Sequence, residues 1–138
     1  MGIVTEYITF STAGDAQMLD ITSRVEAILR KGRLEAGIVT VSAIGSTAAI
    51  TTCEFEPGLQ RDVGEVLDKL IPPGRYHHDQ TWGDGNGHAH LRASLIGPSV
   101  TLPFKDKALI VGTWQQIVFL DFDNRPRERR VVVQVVGE

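Results

Sequence analysis

Cysteine is almost missing from these 138 residues: Cys53 stands alone. An internal disulfide framework is therefore excluded, and a reducing cytoplasm is the expected setting. No apolar run approaches the roughly 20 residues that a membrane-spanning helix needs. Nor does the start, Met1 to Glu6, have the basic-then-apolar pattern of a secretory leader, so none is expected. Positive charge is also in short supply, with 14 Lys and Arg against 17 Asp and Glu, a formal net charge of −3. Broad electrostatic binding to nucleic acid is thus not expected, and no membrane partner is either. What remains is an ordinary globular composition, 42% hydrophobic, long enough for one domain over 1–138 and too short for two comfortable ones.

The apolar pattern alternates between periods of two and of three to four. Residues 3–10 read as a first strand, followed by a turn at Ser11 to Asp15. Ser23 and Glu26 have capping-box spacing ahead of a helix that shows Val25, Ile28 and Leu29 on one face, with Gly32 as its stop. Residues 36–44 and 47–53 are β-branched runs broken at Gly45-Ser46. Pro57-Gly58 opens a second helix whose stripe is Leu59, Val63, Val66, Leu67 and Leu70, ended by Pro72-Pro73. The last third reads as strands at 100–104, 109–111, 113–122 and 129–136. About seven strands with two main helices, not strictly alternating, predict an α+β fold with a mixed or antiparallel sheet.

All four histidines fall between Tyr76 and His90, in YHHDQTWGDGNGHAH. Imidazole titrates near neutrality and is the commonest metal ligand, so a cluster this tight in a Gly-rich stretch points to a site. His88 and His90 share a face if the segment is a strand. On a helix they point roughly 160° apart, and only one can join His78. His78, His88 and His90 are the candidate ligands of a divalent ion, zinc-like, with a water completing an open site. Asp79, Asp84 or Asn86 would orient them.

Other residues carry weaker signals. Ser46 and Thr47, in a turn between two strands, offer hydroxyls and bare amides to an oxyanion or phosphate. Glu54 supplies a carboxylate for acid–base work, although Glu54 and Glu56 also suit a helix N-terminus. Arg127 and Arg129, in a cluster with Arg125 and Arg130, would either grip a phosphate or pair with Asp121 and Asp123 across a hairpin. Cys53 reads as a buried small hydrophobe, and Trp114 as core or subunit interface.

Taken together, GSTAAITTCEFEPGLQRDV (45–63), YHHD (76–79), DGNGHAHLRASLIGPSVTLPF (84–104), GTWQQIVFLDFDNRPRERRV (112–131) and the terminal VVGE resemble the YjbQ family. These are small proteins often labelled secondary thiamine-phosphate synthase. The resemblance implies an α+β homotrimer with sites near subunit boundaries. It also implies a cleft built from the 45–54 strand region and the two histidine blocks. By position, His78 matches the family's Y-x-H-D histidine, and Asn86 and His90 match its N-x-x-A-H block. Glu54 and Asp62 match acidic positions around the second helix. Many members have a histidine where this chain has Gly45, and a small residue where it has His88, so His88 is the expected substitute third ligand.

The expected function is a metal-dependent enzyme acting on a small phosphorylated compound, by resemblance a thiamine-phosphate synthase-like transferase with Glu54, Asp79 and Asn86 as catalytic residues. Its alternative is a non-catalytic homotrimer that binds a metal or a metabolite.

Overall fold

The computed structural model describes residues 1–138. Eight strands form: β1 (Gly2–Thr12), β2 (Gln17–Asp20), β3 (Ala36–Ala43), β4 (Ala48–Cys53), β5 (Ser99–Lys105), β6 (Ala108–Leu109), β7 (Gln116–Asp121) and β8 (Arg127–Gly137). Four helices join them: α1 (Thr22–Lys31), α2 (Pro57–Leu70), α3 (His77–Trp82) and α4 (Gly87–Ile96). Every strand pairing is antiparallel, in one sheet ordered β1-β8-β3-β5-β6 and a second ordered β2-β7-β4. The expected α+β architecture is present, divided between two sheets.

Side-chain periodicity explains the layering. On β8, Val131, Val133 and Val135 are buried while Arg130 and Gln134 point out, the alternation of a sheet with one covered face. On β7, Ile117 to Asp121 are all buried, because this strand is covered on both sides. Ile117 and Phe119 join Val39, Val41, Val131, Val133 and α1's Val25 and Leu29 in the core between the sheets. Val118 and Leu120 face the other way, into a second core with Leu67 of α2 and Ala89 and Ala93 of α4. Burying each such Val, Leu or Phe contributes roughly 1.5–3 kcal/mol.

Several expected details differ. The turn at Ser11 to Asp15 falls partly within β1, and β2 follows it unannounced by any long apolar run. α1 starts at Thr22, whose amide and hydroxyl both donate to Asp20, so Ser23 lies inside the helix. Residues 113–115 form a turn, where Gln115 accepts from the Gly112 amide and Trp114 is 71% exposed. On α2 only Leu67 of the apolar stripe is buried, and Val66 and Leu70 are exposed.

One polar network crosses the boundary between the sheets. Arg129 of β8, only 8% exposed, grips Asp121 of β7 with Nε and Nη2 at 2.6 and 2.8 Å, and Nη2 also donates to Thr47 at 2.9 Å. Thr12 of β1 donates to the same carboxylate. Next to it, Asp123 accepts from Thr47 (3.0 Å), Asn86 (3.3 Å) and Arg127 (2.9 Å). Of the two expectations for Arg127 and Arg129, pairing with the aspartates is the observed one. Thr47 is likewise engaged inside the protein, leaving exposed Ser46 as the free hydroxyl of that turn.

A buried bidentate pair is costly to break from one side, because the remaining charge is stranded. Arg129→Met is expected to destabilise the fold by about 3–5 kcal/mol. The double change Arg129→Met with Asp121→Leu should lose less than the sum of the two single changes. Urea unfolding midpoints of the three variants check this. Additive losses would show that the pair is not coupled.

Candidate metal centre

Short helices need local devices, and α3 has one in Asp79. Its Oδ2 accepts from the amide of Tyr76 at 3.1 Å, capping α3 from within. Its Oδ1 accepts from the amide of Gly87 at 2.9 Å, the first residue of α4. One carboxylate thus joins the N-termini of two helices. The junction is tight: a Cβ on Gly87 would lie 2.8 Å from Tyr76 Cβ, so glycine is required there. The Gly-rich histidine stretch is therefore two helices joined through residues 83–86.

This junction brings His78 and His90 together, with ring centroids 4.3 Å apart and planes inclined by 42°. His78 Nδ1 is buried without a hydrogen-bond partner. It lies 3.6 Å from Asp79 Oδ1 and 4.0 Å from Asp84 Oδ1. Ligand atoms of His78, Asp79 and Asp84 all lie within 4.8 Å of one another. Two ligands of one tetrahedral zinc, each at about 2.1 Å, would be about 3.4 Å apart, so little movement separates this set from coordination. An orphaned imidazole nitrogen beside two carboxylates, with a second imidazole against its ring, suits a divalent ion.

His88 does not complete a three-histidine set. Residues 87–96 are helical, so His88 and His90 diverge as the 3.6-residue period requires. His88 instead lines a separate cleft with Asp15, Asp68 and Arg92. Leu91 and Leu95, spaced as a buried stripe would be if residues 89–96 are helical, are exposed instead. Ala89 and Ala93 face the core, and their small side chains let the helix approach the β4–β7 sheet closely.

Gly45 has φ of +153°, a backbone that side chains rarely adopt, and a Cβ there would meet Arg129 Nη1 at 3.1 Å. Histidine could not enter this position without shifting the turn. Glu54 is exposed beyond the far end of β4. At about 3.3 Å per residue it lies on the order of 20 Å from Thr47, whose partner Asp123 also holds Asn86. No hydrogen bond or ion pair links it to the histidines within one chain. Asn86 is buried as the residue before α4; its Nδ2 reaches Asp123, while its Oδ1 is unpartnered. Glu56 caps α2, accepting from the Gly58 and Leu59 amides, which hold its carboxyl below the ordinary range.

The match to the UPF0047 protein YjbQ-like family spans residues 6–138. The chain belongs to the YjbQ family. A UPF0047 protein of Archaeoglobus fulgidus is 41% identical over 94% of this chain and 98% of its own length. One from Methanothermobacter thermautotrophicus is 35% identical over 100% and 95%. Among solved structures, a YbjQ-like protein of unknown function from Sulfolobus solfataricus P2 superposes with a TM-score of 0.88 at 30% identity, covering 99% of this chain and 100% of that one. An uncharacterised YjbQ/UPF0047 protein from Clostridium acetobutylicum gives 0.86 at 35% identity, covering 95% and 99%. Within this YjbQ fold the electrostatics of the junction are set by hydrogen bonds. Burial raises the carboxyls of Asp79 and Asp123, but donors outweigh it. The Tyr76 and Gly87 amides with His78 lower Asp79, and the Asn124 amide, Thr47, Asn86 and Arg127 lower Asp123.

Both carboxylates therefore titrate below their unfolded value of about 3.9. Their contribution to stability is complete above that value and is lost as pH falls through the depressed folded values. Thermal midpoints should be insensitive to these groups above about pH 5 and fall below about pH 4. Asp123→Asn should flatten the acid limb. An unchanged limb in that variant would show that Asp123 is not held low.

Proposed function

We propose that this YjbQ protein is a divalent-metal-dependent enzyme, with zinc or a similar ion held by His78, His90 and Asp84 and oriented by Asp79, acting on a small phosphorylated compound. The supporting observation is the buried, unpartnered His78 Nδ1 facing two carboxylates beside the His90 ring. A bound ion would supply charge neutralisation for a phosphate or pyrophosphate leaving group. That role matters here because Arg127 and Arg129 are already paired with Asp123 and Asp121. Asp79 holds the His78-bearing helix against α4, and Asn86 offers its free Oδ1 at the start of α4. A thiamine-phosphate synthase-like transfer in the cytoplasm is the finer form of this reading.

The proposed assembly is a homotrimer with its site finished between subunits. Two features support it: large apolar side chains lie outside, Trp82 at 75% and Leu95 at 61% exposed, and exposed Glu54 has no hydrogen bond or ion pair to the histidines of its own chain. Sedimentation is expected to give a species of about three times 15.1 kDa; a monomer at micromolar concentration would remove Glu54 from the site.

Elemental analysis of tag-free protein incubated with zinc or manganese should find about one ion per chain, in keeping with a single centre. His78→Ala and His90→Ala should abolish uptake, whereas His88→Ala should retain it. Equal loss in His88→Ala, or no uptake at all, would overturn the assignment. The phosphorylated substrate is tested by screening thiamine precursors with the metal-loaded protein and with His90→Ala. Turnover in the loaded protein alone supports the enzyme, and equal turnover in both would break the link between metal and chemistry.

A further inference from the structure

Beside α4, and sharing no lining residue with the His78–His90 contact, is a cleft of about 280 Å³ lined by Asp15, Ala16, Gly64, Asp68, Pro73, His88, Arg92 and Phe122. Its polar groups are unevenly satisfied. Arg92, 4% exposed, donates from Nε to the Ile71 carbonyl and from Nη2 to Asp68 Oδ1, both at 3.0 Å, so its charge is largely engaged. His88 is 6% exposed, and its Nδ1 has no partner. No hydrogen bond or ion pair engages the carboxylate of exposed Asp15, and Asp68 keeps its second oxygen.

The cleft therefore has a surplus of acceptors: one whole carboxylate, half of another and an imidazole. The close gathering of ligand atoms seen for His78, Asp79 and Asp84 is not repeated by Asp15, Asp68 and His88, which line a cleft with room for a molecule. The complementary ligand is molecular, carries several N–H donors and positive charge, and has an apolar part for Ala16, Pro73 and Phe122. We propose that this cleft binds a small aliphatic amine in its ammonium form, with the ammonium shared between Asp15, Asp68 and His88.

The backbone fixes Asp15 for this role. Gly14, Asp15 and Ala16 all have positive φ (83°, 54° and 65°), and the Asp15 amide donates to the Asp123 carbonyl at 2.7 Å. Three successive left-handed residues place a carboxylate at the mouth of the cleft, anchored to the network that joins the sheets. Asn visits this conformation as readily as Asp, so Asp15→Asn removes the charge without moving the turn.

Titrating isotopically labelled protein with n-butylammonium chloride, with n-butanol as the uncharged control, tests the proposal by amide chemical shifts. Saturable shifts at Ala16, Gly64 and His88 are expected with the amine and not with the alcohol. Asp15→Asn and His88→Ala should each weaken binding about tenfold, the loss of one charge-assisted hydrogen bond. His90→Ala should bind the amine unchanged, so failure of the metal assignment and failure of this one are separable. Equal response to the alcohol, no saturation, or undiminished binding in Asp15→Asn with a native spectrum would overturn it.

Discussion

The bidentate grip of Arg129 on Asp121 is the constraint around which this molecule is arranged. Two antiparallel sheets packed only through Val, Ile and Phe could slide, because apolar burial is non-directional. A buried guanidinium gripped by Asp121, with Asp123 beside it, cannot. It fixes β8 of one sheet against β7 of the other, and Thr12 and Thr47 add β1 and the turn before β4. From there the order passes to Asp123, which the Asp121 side chain holds through its amide, and then to Asn86 and α4. The histidines are thus referred, through three side chains, to the frame of the two sheets.

α4 separates two chemistries on its two sides. His90 meets His78 across the junction capped by Asp79, and His88 lines the cleft with Asp15, Asp68 and Arg92. Ala89 lies between them in sequence and packs into the core, which prevents the helix from rotating to exchange the two sides. Each side holds a buried imidazole nitrogen without a partner, Nδ1 of His78 on one and Nδ1 of His88 on the other.

Much of this was legible in the sequence where a single period dominates. The β-branched runs and the Pro57 helix start follow from local pattern, whereas residues 113–122 read as one long strand and β7 occupies only Gln116–Asp121. The motifs NGHAHL and GTWQQI were enough to indicate the family. What could not be read was any feature set by two segments at once. The short helix α3 depends on Asp79 reaching both Tyr76 and Gly87, and no six-residue window announces that. The choice between His88 and His90 required knowing that residues 87–96 are helical. Likewise, Leu91 and Leu95 look like a buried stripe until the alanines are seen to give the closer approach to the sheet. Asp15 carried no signal, since an acidic residue in a turn is commonplace and its partners lie far along the chain.

α3 is only six residues long, well below the length at which a helix persists by itself. It is held chiefly by Asp79, by the Tyr76 hydroxyl on the Pro72 carbonyl and by the close seat on Gly87. Such an element opens locally at far less cost than the whole fold. It also carries His78, so opening would separate the proposed ligands, and an ion held there would oppose opening. Amide exchange across residues 77–82 would therefore slow on loading while the β7 and β8 amides kept their rates, and the shortest helix would act as the molecule's own indicator of occupancy.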